Sequence, residues 1–219
     1  MSEVTAAQLE IKFNVKSMKN SVILKMLAQK IKPKLDTIAY KLSEEIKTQF
    51  KHLIFTHPVI TAIMNDRLGG EVGVDYAESR MDYIIHVWTN GLKLTTKSVT
   101  TGHNELRGGF TLQMVRSNYD EVLTIRDAII KERTVRPLPW LQWLLTEGDR
   151  AVVQNYDFVL QHGTGRTGWG HMRKNWNRKQ WSVPTNAAGT SDNNFVTDVI
   201  SVLHKDLYKM IKQEFKRVF

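Results

Sequence analysis

Cysteine is absent from the 219 residues. Its absence closes off disulfide bracing, thiolate nucleophiles and cysteine metal clusters, and suits synthesis in a reducing cytosol. No run of 18 apolar residues occurs, so no segment reads as a membrane-spanning helix and no membrane partner is expected. The opening MSEVTAAQLEIKFNV is acidic and then alternating, unlike a secretory signal. Internal repeats and low-complexity linkers are also missing. Acidic residues vanish between Asp157 and Asp192, while Arg166, Arg173, Lys174, Arg178 and Lys179 place five positive charges there.

What is present starts in that same region. From Leu138 to Ile200 the chain holds five of its six tryptophans: Trp140, Trp143, Trp169, Trp176 and Trp181. Rings this large are costly to leave in water, so they must be covered by a core or by a partner. Hydrophobic content of 42% and charged content of 24% are those of a globular chain. A net charge of +9 favours acidic partners, of which nucleic acid is the commonest; solvated lysine faces on two long helices account for the same number equally well.

Periodicity predicts the elements. Gln8 to Val15 alternates as a half-buried strand. Ser21 caps a short helix that breaks at Pro33, and a second, amphipathic helix carries Leu35, Ile38, Ala39, Leu42, Ile46, Phe50 and Leu53 on one stripe. Pro58 starts two more turns, which Leu68-Gly69-Gly70 ends. Tyr83-Ile84-Ile85-His86-Val87-Trp88 reads as a strand turning at Asn90-Gly91 into Leu92, Leu94 and Thr96. A loop over Thr101 to Gly109 leads to a third strand with Phe110, Leu112 and Met114. Tyr119 to Glu132 is a modest helix capped by Ser117 or Asn118. Leu138 to Leu145 is a short helix with proline in its first turn and Gly148 beyond its end. Ala151 to Leu160 is a strand, and Trp169 to Met172 pairs with Gln180 to Val183. Ser191 or Asp192 caps a final helix about 40 Å long.

The expected fold is α+β, an antiparallel sheet packed by long amphipathic helices, in one domain over 1–219. Its parts are a mainly helical segment with a leading strand (1–68), a sheet with short helices (69–190) and the C-terminal helix (191–219).

Catalytic groupings are hard to find. Gly163-Thr164-Gly165-Arg166-Thr167-Gly168 matches the dinucleotide fingerprint GxGxxG, but strand-like Trp169-Gly170-His171-Met172 follows where a helix should start. Neither the acid expected about twenty residues on nor a phosphate-loop lysine is there, so the glycines read as turn residues. The seven histidines show no HExxH pair, and His52 and His57 stand five apart across a helix end, poor geometry for a shared metal. Asp75, Glu78 and Asp82 read as a solvated face beside a strand. No catalytic, cofactor-binding or metal residue is assigned.

The basic segment Arg166 to Trp181 admits three readings. Cations interleaved with aromatics suit single-stranded nucleic acid, whose bases stack on rings. A hairpin could instead pack its tryptophans inward and leave the cations to water. Or tryptophan and arginine anchor a contact between subunits.

At these residues a family resemblance enters. Leu138-Pro139-Trp140-Leu141-Gln142-Trp143-Leu144-Leu145, Gly148-Asp149, Gly165-Arg166-Thr167-Gly168-Trp169-Gly170-His171-Met172, Trp181-Ser182-Val183-Pro184, Ala188-Gly189-Thr190 and Asp192-Asn193-Asn194-Phe195 resemble neck or tail-completion proteins of tailed bacteriophages. The pattern departs at Asp198, where the family carries arginine. The resemblance implies a structural virion protein and not an enzyme, assembled in the host cytoplasm and placed in the neck. It implies a closed ring, with six-fold symmetry to match the tail tube, contacts with neighbouring neck and tail-tube proteins, and transient, sequence-independent contact with genome DNA passing through. Arg166, Trp169, Arg173, Trp176, Arg178 and Trp181 are then the candidate ring interface, Trp140, Trp143 and Leu144 the supporting core, and Thr101 to Gly109 a second docking candidate. The competing expectation is a basic nucleic-acid-binding module acting alone.

Overall fold

The computed structural model describes residues 4–14, 21–65, 67–102, 105–116, 118–131, 137–148, 150–153, 155–177 and 181–218. It is an α+β chain, as the periodicity predicts, with antiparallel pairing and a long C-terminal helix. Its contacts divide into two compact units, each drawn from separated stretches: 50–89 with 116–201 in one, and 4–49 with 90–115 and 202–219 in the other.

The second of these units is a three-stranded sheet covered by helix segments. Strand β1 (Val4–Asn14), β2 (Lys93–Thr101) and β3 (Glu105–Arg116) lie in the order β1-β3-β2. β2 and β3 are antiparallel, pairing Lys93 with Gln113 and Thr101 with Leu106. Leu106, Phe110, Leu112 and Met114 alternate along β3 and are all buried, the period-two signature of a one-sided sheet. The expected long loop at Thr101 to Gly109 is therefore mostly strand: β3 already starts at Glu105. Over the sheet lie the first part of α1 (Ser21–Thr56) and the last part of α7 (Phe195–Val218). The Phe110 and Phe215 rings meet edge to face at 6.2 Å. Glu214, buried on α7, accepts from Lys41 Nζ at 3.1 Å, and that bond holds its carboxyl below the usual range.

Helix α1 corrects the expected break at Pro33. One helix runs straight through it. Leu24, Leu35, Ile38, Leu42 and Ile46 stay in phase on one buried stripe, and their burial outweighs the local proline cost. Pro33 and Gln29 both face out, so the carbonyl that proline deprives of its amide partner lies where water can reach it.

The other unit carries the short elements. Helix α2 (Pro58–Asn65) begins with proline in its first turn, as expected. The Leu68-Gly69-Gly70 stop is corrected, because these residues lie inside α3 (Arg67–Val72). The strand and hairpin expected at Tyr83 to Gly91 are corrected too: this stretch belongs to α4 (Ala77–Gly91). Met81, Ile84, Ile85 and Trp88 are each at most 1% exposed. Their spacing of three, one and three is helical, and the burial it allows outweighs the β preference of six local residues. Asn90-Gly91 closes a helix, and β2 finds its partner in β3. Likewise, Glu78 and Asp82 lie on a helix and not beside a strand; Asp82 pairs with Lys51 at 3.0 Å, and Asp75 with Arg80 at 2.9 Å.

The helix expected over Tyr119 to Glu132 reduces to α5 (Asp120–Leu123) and a 3-10 turn at Arg126–Ala128, followed by a single bridge between Ile130 and Leu138. Ser117 lies outside the described residues. Helix α6 (Trp140–Leu145) follows Pro139 as expected. The strand expected from Ala151 to Leu160 is two, β4 (Ala151–Val153) and β5 (Tyr156–Leu160), parted at Asn155, whose φ is +59°. β4 pairs with β7 (Trp181–Ser182), and β5 with β6 (Gly170–Lys174). The predicted pairing of Trp169 to Met172 with Gln180 to Val183 is thus replaced by two separate ladders.

Asn194, and not Ser191 or Asp192, caps α7. Its Oδ1 accepts from the amides of Val196 at 3.0 Å and Thr197 at 3.2 Å, while Thr197 Oγ1 accepts from the Asn194 amide at 2.8 Å. This reciprocal arrangement satisfies three orphan amides at the helix start.

Candidate functional site

The basic tryptophan segment resolves into the β5–β6 hairpin and its surroundings. The ladder runs from Tyr156 opposite Lys174 to Leu160 opposite Gly170. At the Leu160 end the glycine-rich stretch is a turn, with Gly163, Gly165 and Gly168 at φ of +78°, +70° and +76°. Its amides are spent internally: Gln161 N donates to Trp169 O at 3.0 Å, Gly163 N to Gly168 O at 2.7 Å and Thr164 N to Gln161 O at 3.2 Å. A phosphate cradle needs such amides turned outward at the start of a helix, and here strand β6 follows instead. The GxGxxG match is a turn.

Only glycine fits at 165. A Cβ there would lie 1.8 Å from the Gly170 carbonyl oxygen, and positive φ costs any L side chain about 1–2 kcal/mol. Gly165→Ala is expected to open this end of the hairpin locally. The checking measurement is hydrogen exchange, with the Gln161 and Gly163 amides losing protection while the α4 amides keep theirs.

The predicted interface residues separate sharply. Arg166 is exposed, and its guanidinium donates to the Gly73 carbonyl at 2.8 Å, tying the turn to the end of α3. Trp169 is half-buried; its Cβ packs against Gly70, and its ring lies 5.1 Å from that of His162. Arg173 is exposed on β6, opposite Asp157. Trp176 is 72% exposed just past the strand, with Lys174 Nζ 3.8 Å from its ring centroid. Arg178 lies outside the described residues. Trp181 is buried at 5% on β7. Trp140, Trp143 and Leu144 are buried on α6, with Trp140 Nε1 donating to Asp127 O at 2.8 Å. Of six tryptophans, Trp176 alone stands in solvent.

Residues that the sequence singles out meet others that it does not, Val72 and Phe158 among them, along the hairpin. A mainly apolar cavity of about 300 Å³ is lined by Val72, Leu138, Trp143, Phe158, Met172 and Trp181 among others. A wider groove of about 870 Å³ shares Gly165 to Thr167 with it and carries Asp75, Tyr76 and Glu78. Tyr76 is 82% exposed and sits at φ +49°. A further trace of this site in the sequence is Gly69-Gly70. A Cβ on Gly70 would meet Trp169 Cβ at 2.7 Å and Phe158 Cζ at 2.9 Å, so the pair marks a close approach and not a helix end.

Comparison with family models, curated proteins and solved structures finds no match.

The remaining polar groups do structural work. His57 Nδ1 accepts from the Val59 amide at 3.3 Å. Desolvation pushes its pKa down, against the pull of Asp198, whose Oδ2 lies 3.7 Å from Nε2. Asp198, the position where the neck-protein pattern carries arginine, therefore faces a histidine. Burial pushes the Tyr119 hydroxyl up and keeps it a neutral donor to Asn194 Oδ1 at 3.2 Å. Among the described residues no three His, Asp or Glu gather as metal ligands, and no helix is long and apolar enough to cross a membrane.

Proposed function

We propose that this protein is a structural subunit of the tailed-phage neck, forming a ring that completes the tail, joins it to the head and lets the genome pass. The observation that carries the reading is Trp176. One tryptophan is held out in water beside the open, basic end of a hairpin while five others are buried or half-buried. Exposed indoles flanked by cations are the residue types that anchor interfaces, and this hairpin lies amid the sequence blocks that resemble neck proteins. A ring needs one heterologous contact repeated by rotation. Arg173 and Lys174, both exposed, suit transient contact with passing phosphates.

Negative-stain imaging of the purified full chain, alone and with tail tubes of the same phage, tests this reading. Rings of uniform diameter, or caps on tube ends, are the expected outcome. Monomers under both conditions would sink it. Salt-sensitive DNA binding by such monomers would point instead to a stand-alone nucleic-acid-binding module, in which Trp176 stacks on bases.

A further inference from the structure

The exposed indole and the apolar cavity are separate patches along the same hairpin. Trp176 follows the Tyr156–Lys174 pair, whereas the cavity reaches Gly170 and the turn beyond the Leu160–Gly170 pair. Phe158 and Met172, paired in mid-ladder, are walls of the cavity, and Trp176, 72% exposed, does not fill the cavity of its own copy. Their chemistry is nonetheless complementary. An apolar cavity of roughly 150 Å³ accepts a benzene. This one, at about 300 Å³, has room for a two-ring side chain. Lys174 lies over the indole, while the groove adjoining the cavity carries carboxylates. Asp75 there is paired with Arg80, and Arg166 turns its guanidinium to the Gly73 carbonyl. Glu78, exposed in the first turn of α4, is left as the carboxylate best placed for an incoming cation.

We infer that these are the two halves of one head-to-tail contact between copies of this chain. Trp176 of one copy enters the apolar cavity of the next, and Lys174 meets Glu78 beside it. The inference rests on the ring reading above and names the surfaces that make the ring. A knob and a hole on different patches of one molecule give a heterologous contact, which repeats around a rotation axis until it closes. Desolvating a tryptophan in such a hole is also the kind of burial that dominates interface energy.

The lack of native cysteine makes the test direct. Asn177→Cys stands beside the knob and Ser79→Cys beside the hole, both at exposed positions that leave Trp176 and Glu78 intact. Mixing the two single variants with a short thiol cross-linker should give a covalent dimer, and the double variant should give a ladder. Adding Trp176→Ala to Asn177→Cys should lower the cross-linked yield by about tenfold or more. Cross-linking of either single variant to itself would indicate a symmetric contact and overturn the inference. Rings or caps seen without cross-links would overturn it while leaving the ring reading intact. Cross-links without rings or caps would support the contact and remove the ring. Neither cross-links nor assemblies would remove both.

Discussion

Trp140→Ala is expected to cost about 3–5 kcal/mol of unfolding free energy, the range for emptying a fully buried aromatic site. In a chain of this size that lowers the Tm by about 6–20 °C. Trp140 is 0% exposed on a helix whose Leu141, Leu144 and Leu145 are also fully buried, so the close-packed interior has little loose surface to collapse into the void. Its Nε1 also supplies the hydrogen bond to the Asp127 carbonyl, which joins α6 to the 3-10 turn. Trp140→Phe separates the two losses. It keeps most of the packing and removes the donor, and should cost about 1–3 kcal/mol for the carbonyl left unpaired. Urea unfolding measures both variants. If Trp140→Ala unfolds within 1 kcal/mol of the parent by this assay, about the cost of an ordinary surface change, the ring is not the keystone of α6.

Asn194→Ala is the second large loss, at about 3–4 kcal/mol. About 0.5–2 of this comes from the lost helix cap and the rest from buried groups left unpaired. Besides capping α7, Asn194 directs Nδ2 at the carbonyls of Thr190, 2.8 Å away, and Leu145, 3.1 Å away, and accepts from the Tyr119 hydroxyl. One amide thus serves three chain segments, at a residue only 5% exposed. Asn194→Ser should keep the cap and lose the reach, with roughly half the effect. Equal losses in the alanine and serine variants, read from denaturant midpoints at unchanged slope, would mean that the carbonyl contacts carry everything and the cap nothing.

The legible parts of the fold share one trait: the deciding signal lies within the element. The alternation of β1, the long amphipathic stripe of α7 and the proline-led starts of α2 and α6 can all be read locally. α4 is misread because a six-residue window from Tyr83 to Trp88 looks β-rich, while the helical stripe becomes visible only when Met81 is counted in. The rest depends on distant partners. β4 pairs with β7 nearly thirty residues on, and nothing in Ala151 to Leu160 announces that the stretch divides between two ladders. The same ignorance governs the site. Trp176 and Trp181 sit in one basic run, yet the first stands in water and the second is buried on β7. The asparagine cap had a readable cue, Thr197 three residues after Asn194. The cavity beside α3 left only scattered traces such as Gly69-Gly70, because its walls come from five separate stretches of chain.

The interleaving of segments also constrains how the protein can be made. One unit draws on 50–89 and 116–201, the other on 4–49, 90–115 and 202–219, so α7 supplies strands of contact to both. Neither can close while α7 is still inside the ribosome. Domains that emerge whole can fold in turn during synthesis. Here the nascent chain must instead carry unfinished apolar surface until α7 has emerged, and both units wait on that one helix.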